Sequence, residues 1–153
     1  MIMNPRLTPS FGLALLACAA LAQTPTIAAS ADAMDAAENV KVTVKYTGKG
    51  DVDATHKLWI WLFDTPDIGP GAIPIAEQSL DKNGATAAFS DVTAKTVWIA
   101  VAYDQNGGFT GSAPPPSGSP VILYGVESGA PAGVTPGEKG EVTVTFDDSQ
   151  RMP

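Results

Sequence analysis

The segment Lys57-Leu58-Trp59-Ile60-Trp61-Leu62-Phe63 limits the architecture of this chain more than any other. It is far shorter than the ~20 apolar residues a helix needs to cross a bilayer. Its aromatic and β-branched content favours a strand over a helix. Side chains alternate across a strand, so Leu58, Ile60 and Leu62 share one face and Trp59, Trp61 and Phe63 the other. An ordinary antiparallel strand in a sandwich buries one face and wets the other. This one is apolar on both, so its second face must be covered or bind something.

The N-terminus reads as an export signal. Arg6 supplies the single early positive charge, and an apolar run extends from Phe11 through Leu21. Ala20-Leu21-Ala22 has the small-x-small pattern that fits a signal peptidase, so cleavage is expected after Ala22. The run is too short for an uncleaved anchor. Leu15-Leu16-Ala17-Cys18 raises a competing reading, a lipobox with acylation of Cys18. The apolar run continues past the cysteine and Leu16 is large for that position, which favours simple cleavage. Cys18 is the only cysteine, so the mature domain would have no disulfide and no thiol nucleophile. A periplasmic or secreted location follows. Residues 23–39, rich in Ala, Thr, Ser and acids, read as a flexible leader.

The full chain has 9 Lys+Arg and 16 Asp+Glu. Removing Arg6 with the signal leaves 8 against 16, a net charge of −8. Nucleic acid demands a cationic footprint, and this balance argues against it.

From Val40 the sequence repeats strand, turn, strand up to residue 147, with a polar tail over 148–153. Val40, Val42, Val44 and Tyr46 alternate with polar residues, the pattern of a half-buried strand. Ile73 to Leu80 is a weaker strand, and Pro74 suits it to an edge. Asn83-Gly84 predicts a tight hairpin returning through Ala85 to Phe89. Val97 to Tyr103 is the second strong strand, with Trp98, Ala100 and Ala102 on its other face. Val121 to Tyr124 and Glu141 to Phe146 complete about seven strands. The expectation is one all-β, antiparallel two-sheet sandwich, prealbumin-like or Ig-like.

This order of features resembles bacterial carboxypeptidase-regulatory-like and transthyretin-like (prealbumin-like) domains. The likeness is carried by Val40 to Tyr46, Leu58 to Phe63, the Asn83-Gly84 turn, Ala87-Ala88-Phe89-Ser90-Asp91-Val92, and Val97 to Asp104 followed by Asn106-Gly107. A Gly-x-Tyr entry to the second strong strand is usual there; this chain has Ala94-Lys95-Thr96-Val97-Trp98 instead. The resemblance implies a non-catalytic accessory, carrier or adhesive module. It also implies that the two strong strands are neighbours. The enzymatic branch of the transthyretin-like group uses several histidines and a Tyr-Arg-Gly-Ser-like C-terminus. This chain has one histidine and ends Ser149-Gln150-Arg151-Met152-Pro153.

Few residues offer chemistry. His56, with Asp53 three residues before it, lacks a serine in a nucleophile-elbow setting, so a solvated turn histidine is expected. One histidine and no mature cysteine cannot fill a His/Cys zinc site. Asp104-x-Asn106-x-Gly108 resembles the opening of a calcium loop, but Asx-Gly is also turn chemistry, and the closing Glu is missing. Asp64 with Asp67, or Asp147 with Asp148, would join such a site only if the fold brought them near. A carboxylate-based hydrolase is the remaining catalytic alternative, with no pair singled out.

With Leu58, Ile60, Leu62 and Val97, Ile99, Val101 in the core, Trp59, Trp61, Phe63 and Trp98 fall on the outer face beside Ala100 and Ala102. Such a face could stack on carbohydrate or seat a protein partner. The opposing readings are purely structural. In one, the Pro-rich loop Ala113 to Pro120 or the leader covers the face; in the other, the tryptophans are themselves the core. For the export reading, N-terminal sequencing of the secreted chain should begin at Gln23. A blocked, lipid-bearing Cys18 would overturn it.

Overall fold

The computed structural model describes residues 38–69, 71–137 and 139–153. The expected signal peptide, Cys18 and the leader up to residue 37 lie outside the described residues. The strands are β1 (Glu38–Tyr46), β2 (Leu58–Phe63), β3 (Ala76–Leu80), β4 (Thr86–Ser90), β5 (Trp98–Tyr103), β6 (Val121–Leu123) and β7 (Glu141–Phe146). They form a three-stranded sheet, β4-β1-β7, and a four-stranded sheet, β3-β2-β5-β6. The all-β, two-sheet expectation holds. No helix among the described residues is long and apolar enough to cross a membrane.

The most apolar strands take the central positions, where both edges and at least one face are shielded. Val40, Val42 and Val44 of β1 meet Leu58, Ile60 and Leu62 of β2, and all six are fully buried. Val97, Ile99, Val101 and Tyr103 add the β5 side; Ala87, Phe89, Val144 and Phe146 add the flanks of the opposite sheet. Each fully buried Val, Leu or Ile contributes about 1.5–3 kcal/mol relative to exposure. β2 and β5 pair antiparallel, with Leu58 opposite Tyr103 and Leu62 opposite Ile99. One pairing departs from the antiparallel expectation: β1 and β7 run parallel, from Lys41 opposite Glu141 to Tyr46 opposite Phe146.

Pro74 ends the β2–β3 ladder as its missing N–H requires. Pairing stops with Ile75, whose N–H donates to the Leu62 carbonyl (2.8 Å), and β3 is an edge strand. The hairpin expected at Asn83-Gly84 is corrected. β3 and β4 belong to different sheets, so this turn carries the chain across the sandwich. The Asn83 side chain accounts for the difference. Its Oδ1 accepts from the Tyr46 N–H (2.8 Å) and its Nδ2 donates to the Tyr46 carbonyl (2.7 Å). The amide thus pairs with β1 as a strand residue would. Gly84, at φ +79°, donates its N–H to the Val44 carbonyl (2.8 Å). Across the same edge the Gln78 amide donates to the Ala88 carbonyl, tying β3 to β4.

Two tyrosines close one end of the sandwich. Tyr46 and Tyr103, from opposite sheets, stack with ring centroids 4.3 Å apart, and Phe146 tilts against Tyr46 at 5.1 Å. The Tyr46 hydroxyl donates to Asp148 Oδ1 (2.5 Å), while Asp148 Oδ2 accepts from the Lys49 N–H (2.9 Å). The Tyr103 hydroxyl donates to the Asp51 carbonyl (3.0 Å). Burial, then the Asp148 hydrogen bond, pushes the Tyr46 phenol well above its ordinary value. The same bond, followed by the Lys49 N–H, holds the Asp148 carboxyl below the usual range.

A carboxyl whose folded pKa lies below its unfolded value of about 3.9 stabilises fully above that value. The contribution is lost as pH falls through the folded value. Asp53 and Asp147 are also held low, Asp53 first by the His56 N–H and Asp147 first by Ser149. Asp148→Asn should therefore flatten, without abolishing, the fall in melting temperature below pH 4. Thermal melts from pH 7 to pH 2 on both proteins check this; parallel curves would refute it.

Candidate functional site

The second apolar face of β2 is the place to look. Register sets Trp59 opposite Ala102, Trp61 opposite Ala100, and Phe63 opposite Trp98. The four aromatics therefore face outward, as the sequence expectation has it. Methyl groups across from Trp59 and Trp61 leave room for their indoles beside β5. The two indoles lie nearly parallel, with centroids 6.3 Å apart and planes at 19°.

This face is covered in part. Phe109 stands edge-on to both tryptophans, 5.3 Å from Trp59 and 5.8 Å from Trp61. Asp104 places it there. Its N–H donates to the Lys57 carbonyl (2.9 Å), and its Oδ2 accepts from the Phe109 N–H (2.8 Å), folding the chain back over the sheet. Gly111 completes the cover at φ +83°, where a methyl group would overlap the six-membered ring of Trp59. Trp59 Nε1 is buried with no acceptor among the described residues. Trp61 and Phe63 retain only 5 % and 6 % of their exposure.

Beyond Phe109 the cover parts into a cleft of about 640 Å³. Its floor is Trp61, Phe63, Ala100 and Ala102. Ile68, Ala72, Ile73 and Pro74 from the β2–β3 connection form one wall, and Ala113, Pro114 and Pro115 the other. Val121 and Met152 lie at the β6 side. The stretch 148–153, expected as a polar tail, pairs back along the chain. Val121 N–H donates to the Gln150 carbonyl (3.0 Å), and Met152 N–H to the Ser119 carbonyl (2.9 Å). Ile73 on the rim is 82 % exposed.

Of the residues singled out from the sequence, Trp61 and Phe63 line this cleft. Trp59 shares their face but lies under Phe109 and Gly111. Trp98 is half-buried near Gly133, outside the cleft lining. Asp104 is buried and serves the turn; Asn106 is exposed. No group of three or more His, Cys, Asp or Glu side chains converges among the described residues. His56 Nδ1 lies 3.1 Å from Asp53 Oδ1, which also accepts the N–H groups of Thr55 (2.8 Å) and His56 (2.7 Å). That arrangement is a side-chain-capped turn.

No family model, curated protein or solved structure matches this chain. The likeness to carboxypeptidase-regulatory-like and transthyretin-like domains thus rests on the sequence series alone.

Sequence reasoning missed Phe109 and the β2–β3 connection. Both carry a legible signal. No charged residue occurs from Ile68 to Ala76 or from Asn106 to Val126, in a chain of net charge −7. Such long uncharged loops suit positions over apolar surface. Phe109→Ala should uncover the indoles. Tryptophan emission should shift to the red and acrylamide quenching should rise. The stability cost should be about 1–2 kcal/mol, below the ~3–5 kcal/mol of a fully buried Phe, because Phe109 is only partly buried. Unchanged quenching would mean that Phe109 does not shield them.

Proposed function

We propose that this chain is an exported, non-catalytic binding module, and that its site is the aromatic-floored cleft over β2 and β5. The observation that carries this reading is the cleft's volume, about 640 Å³, with apolar floor and walls. Small-molecule sites typically span about 300–1,000 Å³ and are lined mainly by apolar and aromatic groups. An apolar surface left open beside a rim isoleucine is costly to keep in water and is commonly a contact site.

The cleft suits an apolar occupant better than a sugar. Carbohydrate stacking uses an open aromatic face with polar groups around it. Here Trp59 and Trp61 lie against each other and under Phe109. A protein partner would engage the same surface through an apolar side chain.

A second reading has support of its own: a structural accessory domain in which the aromatics only pack. The near-complete burial of Trp61 and Phe63 favours it. The two readings differ in whether the cleft binds. Titration with the uncharged dye N-phenyl-1-naphthylamine should give saturable, one-to-one fluorescence enhancement. Ala72→Trp, which fills the cleft from its wall, should abolish the enhancement and leave the melting temperature within a few degrees. Absence of saturable binding to the parent protein would leave the packing role alone.

A further inference from the structure

The charge around the cleft narrows what it takes. Among the described residues, Glu77 is the one charged side chain that lines the cleft. β3 sets it opposite Trp61, so it stands on the same outer face at the rim. It is exposed and has no ion pair among the described residues. Asp64 and Asp67, both exposed, lie on the segment joining the lining residues Phe63 and Ile68. No Lys or Arg among the described residues lines the cleft. Arg151, between Gln150 and Met152, is engaged elsewhere. Its guanidinium donates to Gln105 Oε1 (3.0 Å) and the Gly118 carbonyl (2.6 Å), and lies 3.4 Å from Asp148 Oδ1. The site is thus apolar within and acidic at one lip.

From this geometry we infer that the cleft selects a cationic amphiphile, a small molecule with an apolar chain or ring and one positive head group. The apolar part lies over Trp61 and Phe63, and the head group sits at Glu77. This inference rests on the cleft being a binding site. Charge argues against two other occupants. A second copy would bring another acidic rim from a chain of net charge −7. The chain's own segment 23–37 carries Asp32 and Asp35 and no Lys or Arg. An anionic amphiphile meets repulsion at the lip, and an uncharged one gains only from apolar burial.

Three probes with the same ten-carbon chain test it: decyltrimethylammonium and decanoate, each below its micelle concentration, and decanol below its solubility limit. Binding is followed by tryptophan fluorescence and calorimetry on the mature protein. Single exposed ion pairs are weak, so attraction plus repulsion should separate cation from anion about tenfold, with decanol between them. Glu77→Gln should cut the cation's advantage over decanol about threefold and leave decanol binding unchanged. Added salt to 0.5 M should shrink the same advantage. Ala72→Trp should remove saturable binding of the cation, separating the cleft from general attraction to an acidic protein. Equal binding of cation and decanol, or a cation preference untouched by Glu77→Gln, overturns the selectivity and leaves the cleft as a site. Failure of all three probes to bind overturns the site along with it.

Discussion

A strand apolar on both faces can be kept from water only by two separate covers, and β2 imposes that demand on everything around it. Leu58, Ile60 and Leu62 are sealed by the opposite sheet, chiefly by the valines of β1. Among the described residues, no second sheet lies above Trp59, Trp61 and Phe63. The chain meets this with loops: the β2–β3 connection supplies Ile68 and Ala72, and the segment after β5 supplies Phe109. A loop is a poorer lid than a sheet, because its backbone polar groups must reach partners or water. The cover is therefore incomplete, and the cleft is the gap left between the loops above Trp61 and Phe63. The candidate site follows from the composition of one strand and the limited reach of two loops.

Much of this was legible along the chain. Period-2 alternation sorted the side chains of β1, β2, β5 and β7 onto their faces, because register on a half-buried sheet leaves no freedom to slip by one residue. The strongest strands became central and the proline-flanked one became an edge. What escaped the sequence was non-local. Asn83-Gly84 has the residues of a tight hairpin, and its local chemistry is the same whether the chain turns back or crosses over. The outcome is decided by the Asn83 amide finding the Tyr46 backbone, a partner 37 positions away. The parallel pairing of β1 with β7 is likewise a matter of topology, which alternation does not encode.

The site was half legible for the same reason. The outward set of aromatics could be read from phase alone. Their cover could not, since it depends on Asp104 using its side chain on the Phe109 N–H. The same Asp104-x-Asn106-x-Gly108 pattern suggested a cation loop. Asx side chains serve both purposes, and here the carboxylate is spent on the turn that carries Phe109 to the tryptophans. A residue singled out for a ligand of its own thus also shapes the neighbouring site.

Charge is distributed in keeping with this division. At the sandwich end near Tyr46 and Tyr103, the Asp148 carboxylate accepts from the Tyr46 hydroxyl and the Lys49 backbone N–H and lies 3.4 Å from the Arg151 guanidinium. The outer face of the four-stranded sheet carries two long uncharged loops and, among the described residues, one lining acidic side chain, Glu77. An acidic protein gains solubility from spreading its charges. Leaving one broad face nearly uncharged forfeits part of that gain, and core packing does not demand it, because the face lies outside the core between the sheets. Depletion of charge over a partly open apolar surface is what the centre of a contact site requires. In the proposed binding role, the carboxylate at its lip sets which charge can approach.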